Sequence, residues 1–257
     1  MKSKIDITLE IILILVLFGL AFEGIYLYYH WPRGDDFNKL VKTQETELVN
    51  EELVKTKQSP KETPPKEITL PDSFALDIPF FSQAPLGNWN PPFDHACEEA
   101  AILMVHYYMQ GKTTIDPIEV AQEIRDITNF ENKSYGFNED TSAEQTAQLI
   151  RDYYGYKVQV YYDVSLEDIK KELVKGNPVI VPTAGRLLGN PYFTPPGPMY
   201  HMLVVKGYTQ TEFITNDPGT KRGADYVYSY QTLRKAIHDW NNGDVENGKS
   251  AMIPVQK

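Results

Sequence analysis

The chain is nearly without cysteine. Its 257 residues include one, Cys97, so no disulfide can form within the chain and no thiolate cluster can hold zinc. The five histidines are scattered and show no metal-ligand spacing. Neither a metal nor a cofactor is expected. Positive charge is also short: 25 Lys and Arg stand against 35 Asp and Glu, a formal net charge of −10. A general nucleic-acid binder needs a basic stripe to neutralise phosphates, and this balance argues against one. Uninterrupted apolar stretches of membrane length are missing as well; the longest near the start runs only from Ile11 to Phe22. No internal repeat occurs.

That apolar run reaches a spanning length of about 20 residues if Glu10 and Glu23 sit near the lipid–water interface. Lys2 and Lys4 precede it, and Tyr28, Tyr29 and Trp31 follow in the manner of an interfacial aromatic belt. Residues 1–33 therefore read as a single-pass signal-anchor in the cell membrane, with the rest of the chain outside the cytoplasm. The rival reading is a signal peptide cleaved at Gly19-Leu20-Ala21, which would release a secreted protein. Residues 34–73 form a charged, Pro-containing linker, clearest at Lys61-Glu62-Thr63-Pro64-Pro65-Lys66-Glu67.

Residues 74–257 carry the globular pattern, long enough to bury a core without staples. Ala75 to Phe81 reads as a short strand. Glu98 to Gln110 is apolar on nearly every side, which places this helix in the middle of a domain, and Gly111 closes it. Asp116 to Ile127 is an amphipathic helix capped by Asp116, with Pro117 at its first position. Ser142 to Tyr154 and Ser165 to Lys175 are further helices with serine caps. Lys157 to Tyr162 alternates as a strand, and Pro178 to Pro182 is a short buried one. Tyr200 to Gly207 and Phe213 to Asn216 are two β runs around a polar turn. Gln231 to Trp240 is a helix and Ala251 to Val255 a closing strand. Helices first and strands later indicate an α+β domain.

Cys97 lies where a polar stretch turns into the buried helix, so its sulfur meets a helix N-terminus. Unpaired N–H groups and the macrodipole there favour a thiolate, the competent nucleophile. An inert core cysteine is the plain alternative. Glu98 and Glu99 suit the helix start but oppose a negative sulfur unless their side chains point away. A thiol nucleophile needs a base. His30 flanks the membrane segment. His106 falls on the opposite face of the helix from Cys97, about 13 Å along it, and reads as structural. His95 is too close in sequence to approach the sulfur easily. His238 sits in a polar, solvated run. His201 begins a buried strand, a rigid place for a base, although taken alone its position favours a satisfied core histidine.

Asp217, in Asn216-Asp217-Pro218-Gly219, returns to the same end of the hairpin. A simple turn leaves it about three residues from His201 along the strand, roughly 10 Å, so a bulge or side-chain reach must close the gap. There it would fix the imidazole tautomer; the plain alternative is a turn-forming aspartate. Gln83 precedes Cys97 by 14 residues and could donate to an oxyanion, or be a polar loop residue. Arg186 to Pro198, rich in proline and aromatics, is expected to line the cleft as a loop.

The strings FFSQAPLGNW, HACEEAAILM, YHMLVVKGY and TNDPG, in this order, resemble the blocks of papain-like cysteine peptidases of the bacteriocin-processing, C39-like type, over about residues 76–257. The resemblance implies a papain-like α+β fold, with a central N-terminal helix packed on an antiparallel sheet. It implies a Cys97 nucleophile, a His201 base, an orienting Asp217 and a Gln83 oxyanion donor, acting on a peptide or protein substrate. The better-known members carry glycine after the cysteine, where this chain has Glu98, and are fused to transporter and ATPase domains. The chain has no G-x-x-x-x-G-K motif and is expected to stand alone. Two other readings stay open: a non-catalytic peptide-binding domain at the cell surface, and an acyl transferase or transpeptidase using the same triad.

Overall fold

The computed structural model describes residues 69–256; the apolar segment, the linker before residue 69 and the expectations placed on them lie outside the described residues. A compact unit runs from Ile68 to Lys257. Among the described residues no helix is long and apolar enough to cross a membrane.

The centre is helix α1, Cys97–Gln110, with eleven buried residues in fourteen. Ala100 and Ala101 are fully buried. Small side chains there let other elements approach the axis from several sides. Gly111 ends α1 in the left-handed conformation, its N–H on the Tyr107 and Tyr108 carbonyls. Helix α2, Pro117–Ser134, opens as expected, the Asp116 carboxylate accepting the Ile118 N–H. It runs beyond the expected Ile127 because no Gly or Pro intervenes, and Thr128 and Glu131 continue its buried face.

Helix α3, Ala143–Leu149, starts on a full capping box, Ser142 with Gln145. The last expected turn, Ile150–Tyr154, widens into a π-helical one, closed by Gly155. Helix α4, Leu166–Val174, is boxed by Ser165 and Asp168. Helix α5, Tyr230–Ala236, is shorter than expected, since Ile237 turns extended and bridges to Thr183.

The strands are β1 (Phe74–Ala75), β2 (Lys157–Val158), β3 (Tyr161–Tyr162), β4 (Val179–Thr183), β5 (His201–Tyr208), β6 (Glu212–Asn216), β7 (Tyr226–Ser229) and β8 (Ala251–Gln256). They make one sheet in the order β2-β8-β4-β5-β6-β7, with β1 on β5 and β3 on β8. All the pairs are antiparallel. The α+β class and a helix packed on an antiparallel sheet are as the sequence indicated, α1 lying against β5.

Two strand expectations need correction, and one strand was not foreseen. Residues 76–81 are not strand: the Leu76 N–H still reaches the Lys206 carbonyl at 2.8 Å, and the pairing ends there. Pro79 has no N–H to give, and the Ile78 and Pro79 carbonyls are taken by the Asn216 amide instead. The strand expected over 157–162 is split. Both halves keep one register on β8, and the gap at Gln159 falls opposite Pro254, which cannot donate. Strand β7 was not foreseen; it pairs β6 from Thr215↔Tyr226 to Glu212↔Ser229.

Gly207 lies where β1 crosses β5, paired with Ala75. A Cβ there would stand 2.5 Å from the Phe74 carbonyl oxygen and 2.8 Å from the Ala75 Cα. Backbone cannot yield as a side-chain tip can. Gly207→Ala should therefore lower stability by about 1–3 kcal/mol, read from urea midpoints; an unchanged midpoint would show that β1 is not held against β5.

Candidate active site

Strand β5 is buried along its whole length, and His201 opens it. The β5–β6 register shifts between Val205 and Gly207. That bulge at Lys206 moves Asp217 one residue nearer than a simple hairpin would. Continued from Val204↔Asn216, the register sets Asp217 opposite Leu203. Side-chain reach closes the rest: His201 Nε2 donates to Asp217 Oδ1 at 2.8 Å. The pair is almost wholly buried.

Asp217 is fully satisfied. Oδ1 also accepts the Gly219 N–H at 3.0 Å. Oδ2 accepts from the Tyr228 hydroxyl at 2.6 Å and the Asn190 amide at 3.1 Å. Burial alone would raise this carboxyl, but the facing His201 and the Tyr228 and Gly219 donors outweigh it and hold Asp217 below its ordinary range. An ionised Asp217 accepts from Nε2, which fixes that proton and leaves Nδ1 with no protein partner. Phe193 packs edge-on against the imidazole, ring centroids 5.3 Å apart. Asn190 and Tyr228 escaped the sequence reading. Tyr228 belongs to the strand that was not foreseen, and an asparagine in a loop carries no local signal.

Cys97 is the first residue of α1, and the Ala96 cap offers no side-chain hydrogen bond. Pairing of β5 with β6 stops at Val204↔Asn216, and beyond it the Met202 N–H is directed at the sulfur. Cys97, His201, Gln83 and Gly219 line one cleft of about 360 Å³. No hydrogen bond joins Cys97 to His201. The thiol donates instead to Glu98 Oε2 at 3.0 Å.

This corrects the expectation of a sulfur favoured as thiolate. Burial first, and then the Glu98 carboxyl, push the Cys97 thiol well above its ordinary range; the Met202 N–H opposes them. Glu98 does not point away from the sulfur. Both glutamates are buried: Glu98 lies against the sulfur and the Thr141 N–H, while Glu99 turns toward Thr128 on α2. Burial, then Glu99, push Glu98 up to about 8. Glu99 is raised by burial and by Glu131 across from it on α2, and burial raises Glu131 to about 8. Glu99 Oε2 and Glu131 Oε2 are buried without a hydrogen-bond partner, and two facing buried carboxyls disfavour each other's charge.

Gln83 lies in the cleft, yet both amide hydrogens are engaged, on the Phe93 carbonyl at 2.9 Å and the Asp94 carbonyl at 3.2 Å. An oxyanion would have to displace one of them. Of the other histidines, His106 stacks on Tyr154 at 4.0 Å and bonds the Tyr156 hydroxyl, a structural role as expected. His95 is exposed at the rim of the cleft. His238 is half-buried, its Nδ1 and Nε2 facing the Gly248 and Lys235 carbonyls. The stretch Arg186 to Pro198 is only partly cleft. Gly185–Leu188 coils into a 3-10 turn, while Phe193, Thr194 and Pro198 form the wall beside Cys97. Among the described residues no group of His, Cys, Asp and Glu could hold a metal ion.

A profile of the Peptidase_C39 like family matches residues 75–244. The chain belongs to that family. Membership makes it a cysteine-type peptidase by class, a hydrolase whose substrates are peptides or proteins. No curated relative matches the chain. Among solved structures, a candidate C39-like peptidase from Bacillus anthracis is 18% identical and aligns over 73% of this chain and 98% of its own, with a TM-score of 0.48. Xylellain, a cysteine protease from Xylella fastidiosa, is 12% identical over 76% of this chain and 90% of its own, with a TM-score of 0.39. Both scores lie below 0.5, and neither likeness bears on the chemistry.

Two outcomes follow for this member of the family. Tyr228→Phe removes a short hydrogen bond to a buried carboxylate. It should lower stability by about 2 kcal/mol and move the acid limb of any pH–activity profile upward, because Asp217 loses a donor that favours its ionised form; an acid limb unmoved would show that Asp217 does not govern it. The raised carboxyls act in the other direction. Glu98 and Glu131 titrate near 8 when folded and at about 4.3 when unfolded, so the folded state binds their protons more tightly. Their contribution is complete below about pH 4, declines above it and is gone past about pH 8. The urea midpoint should be higher at about pH 5 than at about pH 8.5, and Glu131→Gln should flatten the difference.

Proposed function

We propose that this C39-like chain hydrolyses peptide bonds with Cys97 as nucleophile, His201 as general base and Asp217 as the group that orients the imidazole. The observation that carries the reading is the buried His201–Asp217 pair, 2.8 Å long, at the wall of the cleft that also exposes Cys97. With Nε2 tied to Asp217, Nδ1 is left to take the thiol proton. The sulfur then adds to the scissile carbonyl. The Cys97 N–H and a released Gln83 amide hydrogen hold the oxyanion. The protonated imidazole gives its proton to the leaving amine, and water then cleaves the thioester. The apolar run Ile11–Phe22 supports a further proposal, that the domain is tethered to the cell membrane on its outer side.

A second reading, a peptide-binding domain with an idle thiol, draws on one specific observation: the Cys97 hydrogen bond goes to Glu98 and not to His201. Hydrolysis of a mixed peptide library by the full chain separates the two. Cleavage should fall at least about a thousandfold in Cys97→Ala and in His201→Ala. Cleavage that survives Cys97→Ala would overturn the assignment, and no cleavage at any pH would favour the binding domain. Met199 is exposed at the cleft wall. Met199→Lys should redistribute the cleaved sequences while leaving Cys97 alkylation unchanged.

A further inference from the structure

The residue after the nucleophile is the least expected feature of the site. Glu98 is 1% exposed, and both carboxyl oxygens are engaged. Oε2 receives the Cys97 thiol at 3.0 Å. Oε1 receives the Thr141 N–H at 3.2 Å, from the loop that leads into α3. The carboxyl is thus pinned between the sulfur and a backbone donor 43 residues away in sequence. It is not free to swing into solvent.

Its surroundings are acidic on several sides. On α1 itself stand Cys97 and Glu99. Asp140 faces it from the loop before α3, with His95 beside Asp140. From α2, Glu131 faces Glu99 and also feels Glu98. Tyr200, just before β5, lies close enough for the Glu98 charge to act on its hydroxyl, which itself donates to the Thr141 carbonyl at 3.0 Å. Asp239 accepts from that same hydroxyl at 3.4 Å. No cation with a fixed charge is among these groups.

An ionised carboxylate that accepts an S–H stabilises the thiol, and it also repels the thiolate that would replace it. A protonated carboxyl does the opposite: its O–H can donate to sulfur. We infer that Glu98 is a positioning residue for Cys97, holding the thiol idle while it is ionised and supporting the thiolate once it has taken up a proton. In the active arrangement the Glu98 carboxylate gains a proton from solvent. The Cys97 proton moves to His201 Nδ1. The sulfur is left accepting from the Glu98 O–H and the Met202 N–H. The pair thus gates the nucleophile by protonation of its neighbour. This rests on Cys97 being the nucleophile and deepens that reading. A glycine in this place would leave the sulfur under His201 alone.

The test uses the full chain and its single cysteine, so alkylation by iodoacetamide reports one site. Rates are taken across pH for wild type, Glu98→Gln and His201→Ala. Gln keeps an oxygen for the Thr141 N–H and offers an N–H to sulfur. Glu98→Gln should move the alkylation midpoint down by at least about one pH unit, some tenfold faster labelling at pH values above the Glu98 titration, where the wild-type carboxyl is ionised. A midpoint unmoved or raised, in protein shown by near-ultraviolet dichroism to be folded, overturns the inference. Should that variant fail to fold, the S–H infrared band of the wild type decides. A strongly hydrogen-bonded band at pH values above the Glu98 titration upholds it, and a free-thiol band overturns it. Peptide cleavage is not read in either measurement. If labelling responds to Glu98→Gln but not to His201→Ala, the general-base reading of His201 fails while the role of Glu98 stands.

Discussion

Asp217 is a carboxylate with no access to water, and the geometry around it depends on keeping it ionised. Four donors surround it: His201, Gly219, Tyr228 and Asn190. An ion buried without such partners would be protonated or would not be buried. Each donor is brought by a different device. The bulge in β5 brings the start of that strand toward Asp217. Strand β7 brings Tyr228. The loop after Gly189 brings Asn190. The tight return to Gly223, where a Cβ would fall 1.8 Å from the Asp217 carbonyl oxygen, brings Gly219 and needs glycine at its closing point.

The other side of the cleft follows the opposite logic. At the start of α1, Glu98 and Glu99, with Glu131 of α2 beside them, are buried without a cation among the neighbours named above, so the low dielectric raises their affinity for protons. The helix terminus does offer N–H groups to negative charge, as expected from its dipole. Glu98 and Glu99 each draw on their own backbone, and at the sulfur burial and the Glu98 carboxyl win. A cleft results with an ionised acid behind the histidine and, behind the cysteine, acids whose affinity for protons is raised. Environments that drive titratable groups apart in this way are the usual means by which one site keeps an acid and a base at a single pH.

Much of the fold was legible in residues 74–257. The helix caps at Asp116, Ser142 and Ser165 were all read correctly, because a cap is a local hydrogen bond between residues two or three apart. The all-apolar α1 and the buried β4 and β5 were legible from burial pattern alone. Element ends were less so. The split between β2 and β3 depends on Pro254, nearly a hundred residues away, and the end of α5 on a bridge to Thr183. The expected gap between His201 and Asp217 was read as needing a bulge or side-chain reach, and both are used, but no residue in the segment announces where a bulge will fall.

The sequence by itself determined the residue types in the cleft, the order in which they occur and the family to which that order belongs, since these need only local pattern and spacing. It also placed Cys97 at a helix start. What the sulfur meets there was decided by tertiary structure. Whether a glutamate beside a cysteine points to water or folds against the thiol depends on what covers it, and here α2, the Asp140–Thr141 loop and the start of β5 cover it together. Desolvation is a property of the assembled interior. The protonation of Glu98, and through it that of Cys97, could not be read from any stretch of chain taken alone.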